Sequence, residues 1–273
     1  MQKSEIVQSI KSKKSFLCVG LDTDPSRLPA HFNDFANPVL EFNKQIIDGT
    51  KDFCVAFKNN TAFYEALGDK GWETLHRTVE YIPDGIFTIA DAKRGDIGNT
   101  TNMYAKAFFE TMNFDAVTLA PYMGRDSVEP FLAYPDKWAI VLGLTSNASS
   151  KDVQFQKVGN SYLFEKTIEQ IKEWGTPENT MIVAGATHPK MFEKIRAIVP
   201  DHFLLVPGIG SQGGDLAQIA HYGFNDDVGI LANVSRGIIY AGSGGDYLVK
   251  ATEAAQQYQH DMVSLLNVEQ ATT

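Results

Sequence analysis

The sequence predicts an α/β fold, a closed (β/α)8 barrel in a single domain over residues 1–273, on three observations. Short apolar, β-rich runs alternate with amphipathic helical patterns along the whole chain, and such alternation builds parallel sheets. The 273 residues suit one closed barrel of about 250. Polar and charged residues also recur just past the carboxyl ends of the apolar runs, where a barrel gathers its functional side chains. No internal repeat, low-complexity segment or linker divides the chain.

Each element has its own justification, taken from the amino terminus. Residues 1–15 carry lysines without an apolar core, which predicts a short helix and no secretory signal, hence a cytoplasmic protein. Ser15–Leu21 reads as the first strand, with Asp22 and Asp24 past its end and Pro25 breaking any regular structure beyond them. Asn37–Gly49 has Val39, Leu40, Phe42, Ile46 and Ile47 at helical spacing and leads to strand two, Phe53–Phe57, with Lys58 at its tip. A helical region, Thr61–Tyr81, is interrupted near Gly68 and Gly71, and Pro83-Asp84-Gly85 turns the chain into strand three, Gly85–Ala90. Side chains alternate along a strand, so Asp91 and Lys93 fall on the same side. Gly95 lets the chain turn, and Asp96 stands before a helical pattern of Ile97, Tyr104, Ala105, Phe108, Phe109 and Met112.

Strands four and five are Phe114–Ala120 and Trp138–Leu144, with a short helix, Ser127–Ala133, between them. Ser146–Asn160 is polar, lacks periodicity and exceeds an ordinary βα loop, which makes it a candidate lid. Helix Tyr162–Trp174, strand six Met181–Ala184, helix Pro189–Ile198 and strand seven Phe203–Val206 come next. Strand seven runs into Pro207-Gly208-Ile209-Gly210-Ser211-Gln212-Gly213-Gly214-Asp215, where glycines allow close backbone approach and N–H groups are expected to converge on an anion. The eighth strand, Val228–Val234, ends at Ser235-Arg236-Gly237; phosphate in such barrels commonly binds after strands seven and eight. Helix Tyr247–Tyr258 and a polar carboxyl-terminal tail finish the chain.

Composition excludes several function classes. The net charge of −9 argues against a nucleic-acid surface, which needs a sustained basic stripe. No apolar run approaches the roughly 20 residues of a membrane span. Cys18 and Cys54 sit in apolar runs and read as core, and the six scattered histidines offer no metal-ligand spacing. Asp91-x-Lys93-x-x-Asp96 alone also describes a helix cap beside a solvated turn; its context gives it weight.

With Lys58, Asp91-x-Lys93-x-x-Asp96, the Pro207–Gly214 loop and Arg236 all at predicted strand ends, the chain resembles the orotidine 5′-phosphate decarboxylase family over about Ser15 to Tyr258. The run Asp-Ala-Lys-Arg-Gly-Asp-Ile-Gly-Asn-Thr is similar to the second bacterial branch in particular. The resemblance implies decarboxylation of orotidine monophosphate to uridine monophosphate, the last step of UMP synthesis, with no metal or organic cofactor. It implies Lys93 as proton donor, Asp91 against the substrate carboxylate, and Lys58 holding Asp91 and a ribose hydroxyl. Asp22 would bind ribose, Ser146 would read the pyrimidine edge and Gln212 would bridge base and phosphate. Pro207, Gly208, Gly210 and Arg236 would hold the phosphate. Asp96, Ile97 and Thr100 would reach the neighbouring site of a homodimer.

Two loop positions depart from the family pattern, Ser211 where many members have Ala and Ala148 where Pro is frequent. Two rival readings are a magnesium-dependent sugar-phosphate decarboxylase or aldolase of the same barrel group, and a noncatalytic pyrimidine-nucleotide sensor. Lys58 stands against the first, whose members resemble this chain but carry an acidic residue there. The intact set of four charges stands against the second.

Overall fold

The computed structural model describes residues 1–210 and 213–270. Eight parallel strands close on themselves in the order β1-β8-β7-β6-β5-β4-β3-β2. They are β1 Leu17–Gly20, β2 Ala56–Asn60, β3 Phe87–Arg94, β4 Ala116–Leu119, β5 Trp138–Leu144, β6 Thr180–Ala184, β7 Phe203–Pro207 and β8 Ile230–Val234. The closing seam pairs Leu17 with Ala232, Cys18 with Asn233 and Val19 with Val234. β1, β4, β6 and β8 are buried along their whole length; a strand covered on both faces is built mostly from apolar residues, which is why these segments read as near-continuous hydrophobic runs.

Helices cover the barrel's outer surface. Asn37 begins helix Pro38–Thr50 by accepting the Leu40 N–H on its side chain at 3.1 Å. The region expected as one interrupted helix is two, Thr61–Glu65 and Asp69–Tyr81, parted at Gly68 with φ +68°, while Gly71 lies inside the second. Helix Gly98–Lys106 runs on through a π-helical turn, Ala107–Thr111, that buries Phe108 and Phe109. Cys18 and Cys54 are free and buried in the core, where burial pushes the Cys54 thiol up to about 12 and the Cys18 thiol higher still. Among the described residues no helix is long and apolar enough to cross a membrane.

Several segments differ from expectation; β3, expected to end at Ala90, runs on to Arg94. β2 begins later than predicted, so Lys58 lies within the strand, not at its tip. Residues 146–160 are not irregular: they hold a helical turn, Ser150–Val153, and one arm of a hairpin pairing Lys157 with Tyr162 and Val158 with Ser161. Gln154 ties this stretch down, its Oε1 accepting the Thr145 N–H at 2.8 Å and its Nε2 donating to Thr145 Oγ1 at 2.7 Å. A helix that the sequence pattern did not predict, Leu216–Gly223, is capped by Asp215, which accepts from the N–H groups of Ala217 and Gln218. The polar tail expected after Tyr258 is instead helical, Tyr247–Gln270 being one helix. Ala251, Ala255 and Met262 form its buried stripe, and Met262 Sδ accepts the Phe16 N–H at 3.4 Å.

At the opposite end of the barrel from the strands' carboxyl termini, one guanidinium organises the chain. Arg196 donates to the carbonyls of Gly223 and His202 at 2.6 Å each, Gly229 at 2.8 Å, Val199 at 3.2 Å and Pro200 at 3.3 Å. Burial drags its pKa down to about 10. Removing it strands several buried carbonyls, each costing about 1–3 kcal/mol. Arg196→Leu is therefore expected to lower stability by about 3 kcal/mol or more, and a lysine, lacking the planar fork, is not expected to restore it; urea denaturation of the two variants checks this.

Candidate active site

β3 supplies the centre of the site by leaving the regular ladder. Ile89 and Ala90 pair with Ala116 and Val117 of β4, and Arg94 pairs with Leu119, so Asp91, Ala92 and Lys93 stand opposite the single residue Thr118. Such a bulge bends a strand and re-aims its side chains. Lys93 takes φ +47°, a left-handed backbone that costs an L-residue about 1–2 kcal/mol. The chain beyond it is fixed by Arg94, which pairs with Glu65, and by the Ala120 N–H, which donates to the Arg94 carbonyl at 2.8 Å. The left-handed residues here are Lys93 and Gly98 (φ +58°), not Gly95; Gly95 is tight instead because a Cβ there would stand 3.0 Å from the Ala120 carbonyl oxygen.

The charges then meet. Lys93 Nζ donates to Asp91 Oδ1 at 2.6 Å, Lys58 Nζ donates to Asp91 Oδ2 at 3.0 Å, and Asp22 Oδ1 lies 3.5 Å from Lys58 Nζ. Burial pushes the Asp91 carboxyl upward, but the ammoniums of Lys58 and Lys93 outweigh it and hold the group well below the usual carboxylate range. Burial likewise opposes the charged form of Lys58, yet the carboxylates of Asp22 and Asp91 prevail and keep it above an ordinary lysine. Beneath them the buried Tyr64 hydroxyl donates to the Leu21 carbonyl at 2.9 Å and accepts from Asn43 and Asn59 at 3.0 and 2.8 Å, fixing the backbone just before Asp22.

This cluster lines one side of a cavity of about 410 Å³ at the strands' carboxyl ends. Leu142, Val183 and Leu205 give it apolar lining, and Ser146, Pro207, Gly208 and Arg236 line it as well. Of the predicted residues, Asp22, Lys58, Asp91, Lys93, Ser146, Pro207, Gly208 and Arg236 are brought together. Gly210 does not line this cavity; its φ is +69° and a Cβ there would stand 2.6 Å from the Tyr258 hydroxyl. Gln212, with Ser211, lies outside the described residues. The glycine loop is also less open than expected, because the Gly210, Gly213 and Gly214 N–H groups donate to Gly214, Gly210 and Gly208 carbonyls. Those three donors close the loop on itself and are not available to an anion.

Asp96, Ile97 and Thr100 do not enter this chain's cavity. Asp96 Oδ1 accepts the Ile97 N–H at 2.8 Å, Ile97 is 54% exposed, and Thr100 is exposed on the following helix. Sequence reasoning also missed Asn60, Thr118, Thr145, Asn147 and Asn233, which line the cavity. Their one signal is a polar residue inside, or just past, an otherwise apolar strand.

The profile of the orotidine 5′-phosphate decarboxylase / HUMPS family matches residues 15–250. Similar proteins include an orotidine 5′-phosphate decarboxylase of Flavobacterium johnsoniae, 53% identical over 98% of this chain and 99% of its own. Another from Bacteroides fragilis is 51% identical over 97% and 98%. Among solved structures, Leishmania donovani OMP decarboxylase superposes with a TM-score of 0.84 at 36% identity, covering 97% of this chain and 99% of the other.

The charge cluster sets a pH window. The depressed Asp91 contributes stability above its unfolded value, about 4, and loses it as pH falls through its native value; the raised Lys58 contributes below about 10.4 and loses it as pH rises past its native value. Asp91→Asn, which leaves Lys58 only its Asp22 partner and Lys93 without a carboxylate, is expected to cost about 3 kcal/mol inside that window. The deficit should narrow toward either extreme when denaturation is followed across pH.

Proposed function

The chain belongs to the orotidine 5′-phosphate decarboxylase / HUMPS family, and from that premise we propose how its residues divide the work of converting orotidine 5′-monophosphate to UMP and CO2, a step of pyrimidine biosynthesis. Loss of CO2 from C6 leaves an electron pair in the plane of the pyrimidine ring, where the π system cannot delocalise it well. A fixed cation beside C6 stabilises that localised carbanion. Lys93 fills this role and then delivers the proton, while Asp91 holds its ammonium in place. The observation that carries the reading is the Lys58-Asp91-Lys93 chain of contacts at the mouth of the barrel. The mechanism asks for no metal or organic cofactor.

Asp91 also faces the departing carboxylate. Two unit charges about 4 Å apart at an effective dielectric near 20 repel by roughly 4 kcal/mol. That repulsion helps only where binding energy from elsewhere offsets it, and carbanion stabilisation is the larger contribution here. Arg236, Pro207 and Gly208 supply the remote energy by gripping phosphate; Asp22 and Lys58 hold the ribose; Ser146 reads the pyrimidine edge and Gln212 bridges base and phosphate.

The fourth charge, Asp96, comes from a second copy of the chain, with Ile97 and Thr100, in a homodimer of one-domain barrels working in the cytoplasm. Support comes from the exposure of Ile97 and of Met103, Tyr122 and Met123 nearby, Tyr122 being 94% exposed. An apolar group of this kind marks a contact surface.

Purified protein is expected to decarboxylate orotidine monophosphate in the presence of EDTA, read as the ultraviolet change. Lys93→Ala and Asp96→Asn should each be inactive alone and regain part of the activity when unfolded together and refolded as mixed dimers; no recovery would remove the shared site. Arg236→Ala should lower kcat/KM by about a thousandfold, the scale of a lost charged phosphate contact of about 4 kcal/mol.

A further inference from the structure

β3 places three residues opposite one on β4, and the one is Thr118. In a bulge the extra residues lose their ladder partners, and a buried N–H without a partner is costly. The Lys93 N–H escapes this because it donates to Thr118 Oγ1 at 2.9 Å. The same hydroxyl donates its own proton to Asp91 Oδ1 at 3.0 Å. A hydroxyl can do both at once, having one proton and two lone pairs.

Thr118 is buried, and its side chain lines the cavity. It therefore touches the backbone of one charged residue and the side chain of the other. Asp91 Oδ1 takes Lys93 Nζ and Thr118 Oγ1, leaving Oδ2 to Lys58. With its rotation limited from three directions, the carboxylate has one orientation. Lys93, in its left-handed conformation, has its backbone N–H held by that same threonine.

We infer that Thr118 is a positioning residue of the decarboxylase site, setting the direction of the Lys93 ammonium and of the Asp91 carboxylate through a single hydroxyl. The inference rests on the roles proposed above for Asp91 and Lys93. Its effect falls on the chemical step, because phosphate and ribose are held by other residues. Misplacement of a reacting group by about 1 Å costs about a hundredfold in rate.

The test compares Thr118→Val, which keeps the shape and removes the hydroxyl, with Thr118→Ser, which keeps the hydroxyl and removes the methyl. Steady-state decarboxylation of orotidine monophosphate should show kcat down by about a hundredfold for the valine variant with KM within about threefold of the parent. The serine variant should keep kcat within about fivefold. A valine variant as fast as the parent, or a serine variant as slow as valine, overturns the inference. Circular dichroism checks folding; should the valine variant not fold, Thr118→Ala against Thr118→Ser carries the same comparison. The parent chain separates the two levels: a parent that does not decarboxylate removes the proposed function and this inference with it, whereas an active parent matched by Thr118→Val removes the inference alone.

Discussion

A carboxylate taken out of water has to be compensated in place, and the architecture of this site derives from how Asp91 is compensated. Two ammoniums, Lys58 from β2 and Lys93 from its own strand, each take one of its oxygens. Removing either would leave a charge in a low-dielectric surrounding. Lys58 is almost wholly buried, 3% exposed, so it cannot swing away to water. It is held charged by Asp91 on one side and Asp22 on the other. The alternation of signs exists before any substrate enters, and electrostatic stabilisation of a transition state depends on such preorganisation.

The barrel distributes the remaining tasks by strand. β1, β2 and β3 bring the alternating charges to the cavity, while the ends of β5, β7 and β8 bring Ser146, Pro207, Gly208 and Arg236. In the division of roles proposed above, binding energy from the phosphate contacts acts on geometry at the charged cluster. A rigid sheet is what makes that transfer efficient, since the two groups are fixed to strands of one closed ladder.

Much of this was legible in the sequence because barrel strands are buried on both faces and stand out as apolar runs. Trp138–Leu144 is recovered to the residue for that reason. The charges Lys58, Asp91 and Lys93 were legible because charged residues beside such runs are conspicuous. The path that joins them was not. Strict alternation places Asp91 and Lys93 on one side, yet the backbone reaches that result through a bulge and a left-handed lysine, which no periodicity encodes. Thr118 was hidden because threonine is an ordinary strand former, and its distinction lies in facing the bulge of the neighbouring strand. Helix Leu216–Gly223 was masked by the glycine loop just before its cap, and the last helix was cut short because its buried stripe thins to Met262 beyond Ala255.

The seam of the barrel has a bearing on how the chain is made. β1 begins at Leu17 and its second neighbour, β8, begins at Ile230, so one flank of the first strand waits for almost the whole polypeptide before it is hydrogen-bonded. The Phe16 N–H waits longer still, for the sulfur of Met262. During synthesis the amino-terminal strand is thus an open edge, vulnerable to foreign strands. Lys13 and Lys14, at the end of helix Lys3–Lys13 and a few residues before the strand in sequence, put charge next to it from the moment it emerges.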